Sequence, residues 1–148
     1  MKLGVFPFKK DALIPHYATE ESACFDITIP VSDSLVYVEI PPGEVVKFGT
    51  GLKLDIPKGY QLKMYPRSST GIKKDLELAN TIGVIDSDYV DELIIALRNV
   101  GDTSYFVYSG STLVQAELQK VIQCEFVALE EAPKQKTSRN GGIGSTDA

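Results

Sequence analysis

Val45-Val46-Lys47-Phe48-Gly49-Thr50-Gly51-Leu52-Lys53-Leu54-Asp55-Ile56-Pro57-Lys58-Gly59-Tyr60-Gln61-Leu62-Lys63-Met64-Tyr65-Pro66 is the stretch whose reading decides the fold. From Tyr60 to Tyr65 apolar and polar side chains alternate, the period of a strand that buries one face. Pro57-Lys58-Gly59 in front of it is a turn signal, and Pro66 ends it because proline brings no N–H to a ladder. Val45 to Ile56 reads as a second strand, interrupted by Gly49 and Gly51. The same grammar extends outward. Leu35 to Ile40 runs into the turn Pro41-Pro42-Gly43, and Leu93 to Leu97 and Tyr105 to Tyr108 flank the turn-rich Asn99-Val100-Gly101-Asp102. Leu113 to Leu129 is rich enough in β-branched residues to favour one long strand, and only Ser68 to Lys74 invites a short helix. Short strands punctuated by Gly and Pro predict an all-β sandwich or barrel.

The 148 residues suit one domain, with 43% hydrophobic and 24% charged residues, the mix of an ordinary globular protein. A chain of this length buries roughly 68–70% of its unfolded surface and needs no staples. The two cysteines, Cys24 and Cys124, accord with a reducing compartment. No apolar run approaches the ~20 residues of a membrane span. The opening Met1 to Asp11 has no signal-peptide core, so a cytoplasmic location with no membrane partner is expected. A net charge of −5 argues against direct nucleic-acid binding, and any polyanion must be held by a local basic pocket. His16 is the single histidine, which excludes a His/Cys zinc site and makes a Ser-His-Asp or Cys-His arrangement improbable. Composition changes at Pro133: residues 1–133 read as the domain, and 134–148, with Ile143 as their one large apolar residue, as a flexible arm.

Three segments carry candidate chemistry. In Ile85-Asp86-Ser87-Asp88-Tyr89-Val90-Asp91-Glu92, a strand would set Asp86 and Asp88 on one face. An EF-hand loop fails, with Asp91 where position 6 needs Gly and Leu97 where position 12 needs Glu. A solvated acidic turn is the commoner explanation of such a run, but the flanking apolar runs point to carboxylates with a task. In Pro66-Arg67-Ser68-Ser69-Thr70-Gly71 the Arg fork, hydroxyls and helix-opening N–H groups suit an anion, although Ser-Ser before a helix also serves as an N-cap. Ser138-Arg139-Asn140-Gly141-Gly142-Ile143-Gly144-Ser145-Thr146 offers glycines and phosphate-binding side chains but lacks the Lys of a Walker A loop.

In this order and spacing the segments resemble the trimeric deoxyuridine triphosphatases over nearly the whole chain. Ala18 to Ile27 is similar to the first motif, with Cys24-Phe25 where Gly-Tyr or Gly-Leu is usual. Pro66 to Gly71 matches the second, Gly83 to Tyr89 the third, Gly110 to Ala116 more loosely the fourth, and Gly141 to Thr146, with Arg139 ahead, the fifth.

The resemblance implies a homotrimer of jelly-roll β-barrels, each with one short helix and a mobile C-terminal arm, that hydrolyses dUTP to dUMP and pyrophosphate with Mg²⁺. Asp86 would be the general base that activates the attacking water. Tyr89 would pack on deoxyribose and exclude a 2′-hydroxyl. Asn80 would read the uracil edge along with hairpin backbone groups at Gly83 and Val84. Arg67, Ser68 and Ser69, in the loop that Gly71 closes, would hold α- and β-phosphate oxygens, and Gln115 the α-phosphate or water. Arg139, Ser145 and Thr146 would close over the γ-phosphate, with Ile143 and Gly144 covering the base. Magnesium would ride on the triphosphate and waters with no direct protein ligand, Asp26 standing in its outer sphere. Two departures stand out: Asp91 where Gly is usual, and Ile143 in place of the aromatic that stacks on uracil.

A dCTP deaminase shares this fold and a similar Pro-Arg-Ser-Ser stretch, but its proton-shuttling Glu would fall on Ala96 and its following Arg on the Gly71-Ile72-Lys73 stretch. A trimeric nucleotide-binding regulator without turnover is opposed by an intact Asp86, Gln115 and Arg139. Phage-encoded members are thought to bind protein partners, so a phage source would add a regulatory partner to the expectation.

Overall fold

The computed structural model describes residues 1–31, 36–139, 141 and 142. In chain order the strands are β1 (Gly4–Pro7), β2 (His16–Tyr17), β3 (Phe25–Ile29), β4 (Tyr37–Ile40), β5 (Val45–Asp55) and β6 (Tyr60–Pro66). Helix α1 (Ser68–Lys74) follows, then β7 (Leu76–Leu78), β8 (Gly83–Ile85), β9 (Glu92–Asn99), β10 (Tyr105–Tyr108) and β11 (Ser111–Lys120). All pairings are antiparallel. One sheet runs β1-β5-β9-β7, another β2-β3-β11-β6-β8, and β10-β4 forms a two-stranded third.

The alternation read in β6 is realised: Leu62 and Met64 point into the core while Gln61, Lys63 and Tyr65 face outward. In β9, Leu93, Ile95 and Leu97 are buried on the same principle, each contributing about 1.5–3 kcal/mol relative to exposure. Ile27, Leu62, Val114 and Ala116 from the five-stranded sheet share one cluster with Phe48, Leu78, Ile95 and Leu97 from the four-stranded sheet. Ile40 and Val107 of the small sheet join it. Sheets enclosing a common core give the all-β jelly-roll-like architecture.

Asn99 closes β9 with its amide buried, donating to the Ile40 and Thr103 carbonyls at 2.8 and 2.7 Å and accepting from the Gly101 amide at 2.9 Å. One side chain thus ties together the β9–β10 turn and β4. The glycines noted in β5 mark a bulge: its register on β9 shifts between Gly49 and Lys53, and Gly51 adopts φ +70°. A Cβ on Gly51 would lie 2.9 Å from the Cβ atoms of both Lys9 and Ala12, so glycine lets the N-terminal loop lie directly on the bulge.

Two readings need correction. The long strand expected from Leu113 to Leu129 stops at Lys120, opposite Tyr60, where β6 begins. The Val121 amide still reaches the Gly59 carbonyl at 2.8 Å, but beyond it no strand among the described residues supplies partners. Ile122 and Phe126 are 89% and 93% exposed there. The expected strand through Asp86 and Asp88 ends at Ile85, and Asp86 to Tyr89 form a turn closed by the Tyr89 amide on the Asp86 carbonyl. The two carboxylates therefore do not share a strand face. Strands β1, β2 and β7 are too short for a periodic signal, while the alternation of Phe25-Asp26-Ile27-Thr28-Ile29 in β3 is a strand signal that sequence reading missed; the helix falls at Ser68–Lys74 as read.

Candidate active site

Strand register gathers residues from distant motifs on the outer face of the five-stranded sheet. His16 stands opposite Asp26, Asp26 opposite Gln115, and Gln115 opposite Tyr65. Asp26 is buried despite its charge, its side chain 11% exposed, and Arg67 Nε lies 3.5 Å from its Oδ1. Gln115 Nε2 donates to the Pro66 carbonyl at 3.3 Å, which brings it to the entrance of the Arg67 loop. That loop is stapled to β11. The Arg67 amide and the buried Thr70 hydroxyl both donate to the Leu113 carbonyl, at 3.0 and 2.7 Å. Arg67 itself takes the N-cap position without a side-chain cap bond, so Ser68 and Ser69 are not the cap. Ser68 is exposed and Ser69 half-buried. A Cβ on Gly71 would meet the Leu76 carbonyl at 3.9 Å, an ordinary contact, so no tertiary neighbour among the described residues demands glycine there.

Below Asp26 and Gln115 on the same face, Tyr65 Oη donates to Glu117 Oε1 at 2.8 Å, and this bond to a carboxylate holds the phenol above its usual range. Cys24 is pushed up by burial, then by the charges of Glu117 and Asp26, so its thiol is less ionised than an ordinary one. Among the described residues no group of three or more His, Cys, Asp or Glu gathers to hold a metal ion.

The third motif lies on the other side of β6. Gly83 pairs with Met64, and a Cβ there would come 2.7 Å from Met64 Cε and 3.1 Å from its Cβ, so a side chain at this position would displace the buried methionine. Asn80 and Val84 are exposed, and the Ile82 amide donates to the Asn80 carbonyl at 2.6 Å. With Ile85 opposite Leu62, Asp86 falls beside Gln61, at the far end of β6 from Arg67. Six residues of strand at about 3.4 Å each separate the two by about 20 Å. Within one chain Asp26, Arg67 and Gln115 are therefore together, and Asp86, with Tyr89 beyond it, is not with them. Asp86 is exposed and lines a cleft of about 460 Å³ with Lys58, Tyr60 and Asp88.

Asp91 lacks the positive φ that would call for glycine: among the described residues, Asp75 and Thr81 are the non-glycine positions with positive φ. Asp91 instead stands 3.8 Å from Lys53. Arg139 is exposed, its amide on Thr137 Oγ1 and its carbonyl receiving Gln135 Nε2. Ile143, Gly144, Ser145 and Thr146 lie outside the described residues.

Sequence reading missed the neighbourhood of Glu92. Its Oε1 accepts from Lys9 Nζ at 2.7 Å and from the Gly51 amide at 2.8 Å. Partial burial would raise its carboxyl, but those bonds and the charges of Lys9 and Lys53 outweigh it and hold the group below the usual carboxylate range. The Gly49/Gly51 pair was the available signal, since glycines inside a strand mark a bulge or a close approach.

Known proteins resemble this chain along its length. A family model described as dUTPase matches residues 10–147. The deoxyuridine 5′-triphosphate nucleotidohydrolase of Nautilia profundicola is 36% identical over 146 residues, spanning 99% of both chains. That of a Hydrogenobaculum species is 34% identical over 146 residues, spanning 99% of this chain and 98% of its own. Among solved structures, the dUTPase of Staphylococcus bacteriophage 80alpha with dUPNHPP has a TM-score of 0.84 at 22% identity, covering 98% of both chains. The dUTPase from phage phi11 of S. aureus has a TM-score of 0.79 at 21% identity, covering 89% of this chain and 98% of its own. An all-β chain is thus matched over 99% of its length by one class of nucleotidohydrolase. The chain belongs to the dUTPase family.

Proposed function

We propose that the chain is a dUTP diphosphatase, hydrolysing dUTP to dUMP and pyrophosphate by attack of water on the α-phosphorus. Such a reaction limits uracil incorporation into DNA and supplies dUMP for dTMP synthesis. The observation that carries the reading in its oligomeric form is the division of the motifs within one chain. Arg67, Asp26 and Gln115 sit at one end of β6 and Asp86 at the other. A phosphate-binding half and a base-bearing half that cannot meet within a chain are complementary between chains, as in a closed ring of identical subunits. A homotrimer completes such a site, and the exposed apolar run from Ile122 to Leu129 supplies surface for a neighbouring subunit to cover.

In this reading Arg67 grips phosphate oxygens through its planar fork, with Ser68, Ser69 and the Gly71 turn beside it. Asp86, exposed in its turn, aims its carboxylate at the attacking water. Gln115 fixes the α-phosphate or that water. Asn80 and the backbone at Gly83 and Val84 read the base, and the Tyr89 ring covers the sugar. Arg139, Ser145 and Thr146 close over the γ-phosphate, with Ile143 and Gly144 over the uracil. Magnesium would ride on the triphosphate and supply neutralisation of phosphate charge; Asp26, a buried carboxylate beside Arg67, would hold one of its waters. Catalysis then consists of positioning and charge stabilisation, with little covalent work for the protein. We assign the enzyme to the cytoplasm; no helix among the described residues is long and apolar enough to cross a membrane.

Pyrophosphate release from dUTP, dCTP and dTTP, with and without magnesium, tests the reading. Release from dUTP alone, reduced at least ~10²-fold by Asp86→Asn, is expected. Near-normal turnover in that variant would remove Asp86 from its role, and ammonia release from dCTP would replace the activity. Deamination is disfavoured by Ala96, a half-buried β9 residue paired with Lys47, which has no proton to shuttle.

A further inference from the structure

Glu92 is held at both of its ends. Its carboxylate accepts from Lys9 Nζ at 2.7 Å and from the Gly51 amide at 2.8 Å, while its main-chain carbonyl accepts from Tyr89 Oη at 2.8 Å. The loop that brings Lys9 there is itself fastened. The Phe8 amide donates to the Gly51 carbonyl at 2.9 Å, the Ala12 amide to the Lys9 carbonyl at 3.2 Å, and the glycine bulge lets the loop lie flat. The Phe8 ring lies under both local cations, 5.4 Å from Lys9 Nζ and 5.8 Å from Lys53 Nζ. Tyr89 is 39% exposed, so packing leaves part of its ring free and the hydroxyl bond helps to set its direction.

We infer that Lys9 and Glu92 form a strap that positions the Tyr89 ring, making them specificity-positioning residues for the sugar although neither touches it. The inference rests on the reading of Tyr89 as the ring that covers deoxyribose. The strap fixes the first residue of β9, whose carbonyl anchors the tyrosine; a fixed ring leaves no room for a 2′-hydroxyl, and a loosened one does. Lys9→Met removes the cation while keeping the length of the stem. The Glu92 carboxylate then keeps only the Gly51 amide, the start of β9 loosens, and the anchor of the ring weakens.

The test measures kcat and KM for dUTP and UTP in Lys9→Met, Lys9→Arg, Tyr89→Phe, the Lys9→Met/Tyr89→Phe pair and Tyr89→Ala, with thermal unfolding recorded for each. Lys9→Met and Tyr89→Phe should each lower the dUTP/UTP ratio of kcat/KM roughly 2- to 10-fold, the range for losing one hydrogen bond. The change should come through a lower KM for UTP, and Lys9→Arg should restore the ratio. The double variant should fall no further than Tyr89→Phe alone, because both act through one hydroxyl. A ratio unchanged in Lys9→Met, or one that falls additively in the double variant, overturns the strap while a lowered ratio in Tyr89→Ala keeps the sugar reading. A ratio unchanged in Tyr89→Ala overturns that reading itself.

Discussion

Mixing two inactive chains tests the division of the site between subunits. Asp86 lies beside Gln61 at one end of β6 and Arg67 beyond Pro66 at the other. At about 3.4 Å per strand residue they are about 20 Å apart, too far to act on one phosphate group. Asp86→Asn keeps the shape of the turn and removes the base; Arg67→Ala removes the phosphate fork and leaves Asp86 intact. Each parent should lose at least ~10²-fold in turnover. If every site takes Asp86 from one chain and Arg67 from the next, a random equimolar assembly should regain about one quarter of wild-type turnover, because each of the two contributing chains must be the right variant, with even odds. The assay is pyrophosphate release after co-expression or co-refolding, with native mass spectrometry confirming mixed trimers. Mixed trimers that turn over no faster than their parents would refute the division, and activity at high dilution in a monomer would do so independently.

Asn99→Ala should strip the Ile40 and Thr103 carbonyls and the Gly101 amide of their partner, costing about 2–4 kcal/mol in a urea unfolding experiment; a cost below about 1 kcal/mol would mean water replaces the amide. The depressed Glu92 carboxyl contributes stability that is present above the unfolded value near ~4.3 and lost as pH falls through the folded value. Wild type should therefore be more stable than Glu92→Gln at neutral pH, with the gap closing below about pH 4; a gap that widens on acidification contradicts the sign. Cutting the chain after Thr137 should leave the barrel folded, since β11 ends at Lys120, yet remove most turnover if the arm closes over substrate. Ile143→Phe in the full chain should lower KM for dUTP, because an aromatic face on the base is worth ~1–3 kcal/mol. Undiminished hydrolysis by the shortened chain would dismiss the arm, and an unchanged KM would leave Ile143 without contact to the base.

Local pattern alone determined much of the fold. The alternation of Tyr60 to Tyr65, the helix at Ser68–Lys74 and the break at Gly49 and Gly51 were legible because each depends on chemistry within a few residues. The candidate site residues could be named for another reason: their types and spacing resemble one family's motifs, whatever their distances in space. Strand ends were not legible. β11 stops at Lys120 and β8 at Ile85 because a strand lasts only while a neighbour satisfies its backbone, and the neighbour is chosen by register. The same dependence governs which side chains meet. Asp26 reaches Arg67 because β3 and β6 flank β11 in a particular register, and the same ladder carries Asp86 to the opposite end. Lys9 and Glu92, 83 residues apart, meet because a glycine bulge lets a loop lie against β5. Tertiary structure decided these pairs, since contact across strands depends on register and bulges that no short stretch of sequence encodes.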